Sequence, residues 1–280
     1  MECKIILTTP QGHAVDMLLE TMSITKSAVG LAFLAKDHAL DQLNRIPLLD
    51  SVVDITLEQA LCHQTGIEND ASFLWSEFES ERKRNNTFNY ARDKFVQDLD
   101  NKEFTRSFSY NNIVWRVLVS RFEELYGEKL SVFLKRIEGL EHATFKGDVD
   151  GYMNGMNGMM LTCSMAKAYA KWARGILLQN RNKLMAFSGI KHSVFGRLAG
   201  DQYRVYPFYG WFIVTRKKKF EPVAAIAFGY WCQYICIGLL DKNIYPKYIG
   251  IQLRHEYYVH NNNDTCDYPE TWLTAYLGKQ

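Results

Sequence analysis

The spacing of apolar and polar residues divides the chain into three stretches. At the front, the short apolar runs "CKIILT" and "AVDMLLE" flank "TPQGH", where Pro10 and Gly12 suit a turn, so the chain is expected to open with a hairpin. From Ser27 the spacing becomes helical and stays mostly so to about Asn182. There "DITLEQALCHQTGI" and "NNIVWRVLVSRFEELYG" bring apolar residues back every three or four positions. Beyond that, "YPFYGWFIVTRKKKF", "PVAAIAFGYWCQYICIGLL" and "KYIGIQLRHEYYV" are rich in aromatic and β-branched residues and predict successive antiparallel strands. The tail "PETWLTAYLGKQ" reads as a closing helix with Pro269 in its first turn.

Strands at both ends with helices between them predict an α+β fold. One antiparallel sheet is built from the N- and C-terminal segments and flanked by helices, with an inserted helical lobe and a cleft between the lobes. The expected layout is a single domain over residues 1–280, with a sheet lobe of about 1–26 and 205–280 and a helical lobe of about 27–204. The polar stretch "SEFESERKRNNTFNYARDKF" is expected to be a surface loop bordering the cleft.

Composition narrows the classes of function. With 280 residues, 47% hydrophobic and 14% aromatic, the chain can bury a large core. Its 33 basic and 31 acidic residues leave a formal charge of +2, so no nucleic acid and no anionic membrane is expected as partner. No apolar run approaches the length of a membrane span, since "YWCQYICIGLL" is short and broken by Gln233. The first twenty residues lack the apolar stretch of a secretory signal, so the expected location is cytoplasmic. The six scattered cysteines then read as reduced thiols. Cys232 and Cys236 form the one close pair, at a spacing wrong for a zinc site, so neither metal nor cofactor is expected.

The candidate chemistry starts in "TMSITKSAVGLAFLAKDHAL". On the first turn of a helix, Ser23 and Lys26 share a face. A serine hydroxyl becomes a nucleophile when a base takes its proton, and a lysine is such a base when burial lowers its pKa. The apolar run Ala28 to Ala35 could supply that burial. Alone, a serine three residues before a lysine is also common on exposed helices.

Further stretches follow in order: "DITLEQALCHQTGI", with a His-x-x-Gly turn; "FSYNNIVWRVLVSRFEELYGEKLSVFLKRI", where one residue separates Tyr110 from Asn112; "DVDGYMNGMNGMMLTCSMAKAYAKWARGIL"; and "YGWFIV" with "AIAFGYWCQYICI". With "SITKS", this series resembles the serine β-lactamase and penicillin-binding-protein superfamily of SxxK acyl-transfer enzymes. Within it, the branch of 6-aminohexanoate-dimer hydrolase and related esterases is the nearest in pattern. The resemblance spans most of the chain and implies a two-step acyl transfer. Ser23 would be the acylated nucleophile, Lys26 its base or proton relay, and Tyr110 a second general base and acid. Asn112 would position substrate or Lys26, and the backbone N–H groups of Ser23 and Tyr230, just after Gly229, would hold the oxyanion.

Other readings stand beside these. Tyr110 to Asn112 could be a helix cap, Gly229 a strand bulge, and "RKKK" from Arg216 to Lys219 a hairpin tip. His63, at a helix end, is given no catalytic part. The sequence also departs from the family. Where penicillin- and peptide-processing members carry a lysine or histidine for the substrate carboxylate, this chain has Ala227, which favours an ester or amide substrate over a β-lactam. Trp231 and Cys232 are expected to narrow the cleft. The expected function is a serine hydrolase acting on a small-molecule ester or amide. The alternatives are a catalytically silent binding protein of the same fold, or a DD-peptidase or β-lactamase proper.

Overall fold

The computed structural model describes residues 17–36, 42–50, 52–66, 108–147, 153, 155, 158–188, 203–216, 221–229, 233–240, 249–253 and 276. Strand β1 (Leu19–Glu20) leads into helix α1 (Ile24–Lys36), followed by β2 (Pro47–Leu49), β3 (Val52–Thr56) and α2 (Leu57–Leu61). Helices α3 (Asn112–Tyr126) and α4 (Leu130–Lys135), strands β4 (Thr144–Phe145) and β5 (Met159–Leu161), and helices α5 (Cys163–Gln179) and α6 (Arg181–Ser188) come next. The chain then makes β6 (Tyr203–Phe208), β7 (Trp211–Arg216), β8 (Pro222–Gly229), β9 (Gln233–Gly238) and β10 (Ile249–Gln252). This is the mixed α+β architecture that the pattern predicts.

The last five strands form one antiparallel sheet in the order β10, β9, β8, β7, β6. Its two faces follow the two-residue alternation of the strands. Ala225, Ala227, Ile235 and Ile237 join the main core on the helical side, while Ala224, Ile226, Tyr234 and Cys236 build a second core on the other face. Tyr276 belongs to that second core, its ring filling the space where Gly238 has no side chain.

Helix α1 is the axis of the fold. Every residue from Ile24 to Leu34 is buried, which is why the sequence there is apolar all round rather than striped. It packs on β7, β8 and β9 on one side and on α3, α4 and α5 on others. Gly30 lets the sheet come close, since a Cβ there would lie 2.0 Å from the Tyr209 carbonyl oxygen.

Local signals explain the other boundaries. Thr56 and Gln59 form a capping box at the start of α2. Asn111 caps α3 by accepting from the N–H groups of Ile113 (2.8 Å) and Val114 (3.2 Å), and Gly127 ends that helix at φ 66°.

Three expectations change. The first long helix begins at Ile24, three residues ahead of Ser27, because i to i+3 hydrogen bonds already wind the chain from Thr21 onward. The segment Asp54–Ile67 is strand before it is helix: Val52–Thr56, dense in β-branched residues, pairs with β2. At the front, Leu19 and Glu20 pair with Leu161 and Met160 rather than with the five-stranded sheet. The rest of the expected opening hairpin, the polar stretch that begins at Ser76 and the closing helix apart from Tyr276 lie outside the described residues.

Candidate active site

The nucleophile candidate stands at a strained turn. Met22, just before Ser23, has φ 48°, a left-handed value for which its sequence carries no signal. The turn is fixed on both sides. Thr21 donates from its N–H and its hydroxyl to the Met159 carbonyl at 2.9 and 3.0 Å, and the Met159 N–H donates back to the Thr25 hydroxyl at 3.1 Å. One residue after Lys26, the Ser27 hydroxyl bonds the Ile24 carbonyl and the Tyr169 hydroxyl, both at 2.6 Å. Ser23 is left half-buried at the mouth of α1 while the start of the helix is held.

Three of the residues singled out from the sequence come together here. The Lys26 Nζ donates to Ser23 Oγ at 2.8 Å, and the Tyr110 hydroxyl donates to the same oxygen at 2.8 Å. Lys26 is 2% exposed, and its Nζ lies 5.0 Å from the centre of the Tyr110 ring. Burial pushes its ammonium below the ordinary lysine range, while the Tyr110 phenol draws it partly back. A lysine in that condition can exist as a neutral amine, and a serine hydroxyl within hydrogen-bond reach of an amine and a phenol has two routes for its proton.

The remaining candidates are placed as follows. Asn112 is the first residue of α3, half-buried and two positions after Tyr110, whereas the helix cap itself is Asn111. Gly229 ends β8 in regular register with Gln233, so it is not a bulge. Its missing side chain has a different reason: a Cβ there would lie 2.7 Å from the Thr21 carbonyl oxygen and 3.3 Å from the Met22 Cβ. The glycine lets the end of β8 touch the turn that carries Ser23. Ala227 is fully buried in the main core, on the helical side of β8. Tyr230, Trp231 and Cys232 fall outside the described residues. Cys62, Cys163 and Cys236 are buried. Among the described residues no group of three His, Cys, Asp or Glu could hold a metal ion, and no helix is long and apolar enough to cross a membrane.

Sequence reasoning gave His63 no catalytic part. It follows α2 with φ 54°, and its ring stacks on Tyr110 with centroids 4.9 Å apart and planes 15° apart. Its carbonyl accepts from the Ser109 N–H at 2.8 Å, so the residue holds the chain leading into Tyr110 twice over. Burial, helped by the nearby Lys26 charge, lowers its pKa to about 3, which keeps the imidazole neutral. The His-x-x-Gly turn was visible in the sequence, but its stacking partner lies 47 positions away (110 minus 63).

No family model matches the chain, and no curated protein matches it by sequence. Solved structures do. A Bacillus anthracis protein assigned as a 6-aminohexanoate-dimer hydrolase superposes with a TM-score of 0.54 at 16% identity, over 81% of this chain and 66% of that one, just under two thirds of its length. A penicillin-binding protein from Bacillus halodurans gives 0.56 at 14% identity over 89% and 85%. A β-lactamase from Mycobacterium bovis gives 0.51 at 15% identity over 80% and 76%. At such identities the likeness is one of fold, and with the sheet order, the buried α1 and the Ser23 turn it leads to one conclusion: the chain has the fold of the serine β-lactamase and penicillin-binding-protein superfamily.

Proposed function

We propose that this protein is a serine hydrolase that cleaves a small-molecule ester or amide through an acyl-enzyme. The observation that carries the reading is the position of Ser23 Oγ, 2.8 Å from both Lys26 Nζ and the Tyr110 hydroxyl. The fold supports it, and so do the names of the neighbours, a dimer hydrolase and a β-lactamase among them.

In the first step the Ser23 proton passes to Lys26 Nζ, directly or by way of the Tyr110 oxygen, as Oγ bonds to the substrate carbonyl carbon. The negative charge on the carbonyl oxygen is received by the backbone N–H groups of Ser23 and Tyr230, with Gly229 keeping the strand end close to the turn. The tetrahedral adduct collapses by breaking the bond to the leaving group, which takes the proton back from the Lys26 and Tyr110 pair. Water, deprotonated by the same pair, attacks the acyl carbon, releasing the acid and restoring Ser23. Asn112 positions the substrate. Where the family pattern has a cation for a substrate carboxylate, this chain has the buried Ala227, which supports an uncharged acyl group. The protein works as one domain, its site lying where the sheet lobe meets the helical lobe.

The test is intact mass after incubation with a fluorophosphonate, with peptide mapping and with Ser23→Ala alongside. A single adduct on Ser23, absent in the variant, supports the reading. Full hydrolysis of a p-nitrophenyl ester by Ser23→Ala would sink it. Rapid acylation by a penicillin would move the assignment to the cell-wall class, and no adduct with any serine probe would leave a binding protein.

A further inference from the structure

A second polar cluster joins α2, α6 and the turn between β6 and β7. Glu58 of α2 and Lys183 of α6 form an ion pair at 2.7 Å, their side chains only 18% and 12% exposed. The Tyr209 hydroxyl bonds both, accepting from Lys183 Nζ at 2.7 Å and donating to Glu58 Oε1 at 3.1 Å. The Lys183 amine also lies 4.9 Å from the centre of the Tyr209 ring. The catalytic steps above use none of these three residues.

The position of Tyr209 gives the cluster its meaning. Tyr209 and Gly210 are the two-residue turn between β6 and β7, with φ 50° and 75°, the pair of positive values that a tight hairpin of this twist demands. Glycine takes such a value freely, whereas a tyrosine takes it only when its surroundings hold it there. The turn then presses on α1 at two places. A Cβ on Gly210 would lie 2.4 Å from the Lys26 carbonyl oxygen and 2.8 Å from the Ser27 nitrogen, and one on Gly30 would lie 2.0 Å from the Tyr209 carbonyl oxygen. Helix α2 binds the same turn by its backbone, since the Gly210 N–H donates to the Leu61 carbonyl at 3.1 Å. Two residues further on, that helix delivers His63 to the Tyr110 ring. One five-residue helix therefore references both partners of Ser23.

We infer that Glu58, Lys183 and Tyr209 are positioning residues: the ion pair clamps the Tyr209 phenol, the phenol fixes the turn, and the turn holds the Lys26 backbone so that its amine meets Ser23. For its catalytic consequence this rests on the serine hydrolase reading. Its mechanical consequence does not. Proton transfer to a lysine that has drifted by a fraction of an ångström is slower although the substrate still binds, so the clamp acts on the bond-making step and not on affinity.

Tyr209→Phe tests this with the least collateral change, because it deletes one oxygen and leaves the Glu58 and Lys183 pair intact. Two readouts are taken on the full chain: the saturating rate and half-saturating concentration for fluorophosphonate labelling of Ser23, and amide hydrogen exchange in the peptide spanning Lys26 and Gly30. The expected result is a saturating rate roughly tenfold lower at an unchanged half-saturating concentration, with faster exchange in that peptide. Glu58→Gln, which keeps an acceptor for the phenol, is expected to lose less than Tyr209→Phe, and it carries the test if Tyr209→Phe does not fold. Wild-type labelling and wild-type exchange in both variants would overturn the clamp. Faster exchange in a protein whose wild type never labels would uphold the clamp and reject the hydrolase reading instead.

Discussion

Lys26 lies 5.0 Å from the centre of the Tyr110 ring and donates to a hydroxyl at 2.8 Å; Lys183 lies 4.9 Å from the centre of the Tyr209 ring and donates to a hydroxyl at 2.7 Å. Both amines lie near a tyrosine ring and donate to a hydroxyl, that of Ser23 at Lys26 and that of Tyr209 itself at Lys183. They differ in what acts on them. At Lys183 it is the Glu58 carboxylate, 2.7 Å away, which makes the lysine one half of an ion pair. At Lys26 it is burial first, which lowers the pKa, while the Tyr110 phenol draws it partly back; on the serine hydrolase reading this lets the amine act as a base. On the proposed reading the same residue type makes a strut in one place and a proton acceptor in the other, and the carboxylate decides which.

The sharpest way to break this comparison is to remove each amine and keep its stem. Lys26→Met is expected to slow Ser23 labelling by about 10³-fold or more, since the general base is lost. It should also raise stability by about 1 kcal/mol, because an amine that resists burial is replaced by an apolar chain of similar length. Labelling rate and thermal midpoint, measured on one preparation, check both halves. A Lys26→Met protein that labels normally would end the base assignment, and one that melts earlier would show the lysine to be a strut as well.

Much of the first site could be read from the sequence and almost none of the second. Ser23 and Lys26 are three residues apart, so helical geometry alone puts them on one face. Tyr110 needed the resemblance, because no local rule brings it across 87 positions to Ser23. Of the two asparagines after it, Asn111 proves to be the helix cap and Asn112 the first helical residue, an assignment that caps alone left open. The clamp gives no local signal. Tyr209 and Glu58 are 151 positions apart, and a tyrosine at positive φ is what propensity argues against. Strain of this kind is set by tertiary contacts, which a period of two or 3.6 residues does not record.

Tyr110→Phe comes next in size. It removes the phenol and keeps the ring that stacks on His63, so a drop of about 10²-fold in labelling with little change in melting is expected. Lys183→Met should behave in the opposite way to Lys26→Met. It leaves the Glu58 carboxylate without its cation in a mostly buried place and should cost about 2 kcal/mol of stability. Chemical denaturation distinguishes the two lysines directly, because the sign of the change in midpoint is expected to differ between the two variants.

The last prediction concerns acid and the groups that titrate around Ser23. The Ser23 region holds a second buried base, His63, whose pKa falls from 6.5 unfolded to about 3 folded. In that window the unfolded chain binds a proton that the folded chain refuses, so this group's contribution is intact above pH 6.5 and is lost as pH falls toward about 3. The loss approaches about 1.4 kcal/mol per pH unit within the window. Lys26 has the same sign: burial lowers its folded pKa from 10.5, so its penalty accrues as pH falls from 10.5 toward the folded value, and it is present in the wild type and in a His63 variant alike. His63→Asn keeps a residue type that tolerates φ 54° and removes the imidazole. Urea midpoints at pH 7, 5 and 4 should therefore fall less steeply for His63→Asn than for the wild type, whatever the two proteins' stabilities at pH 7. Parallel slopes would mean that the imidazole is protonated in the folded state, with its charge beside the amine that Ser23 needs as a base.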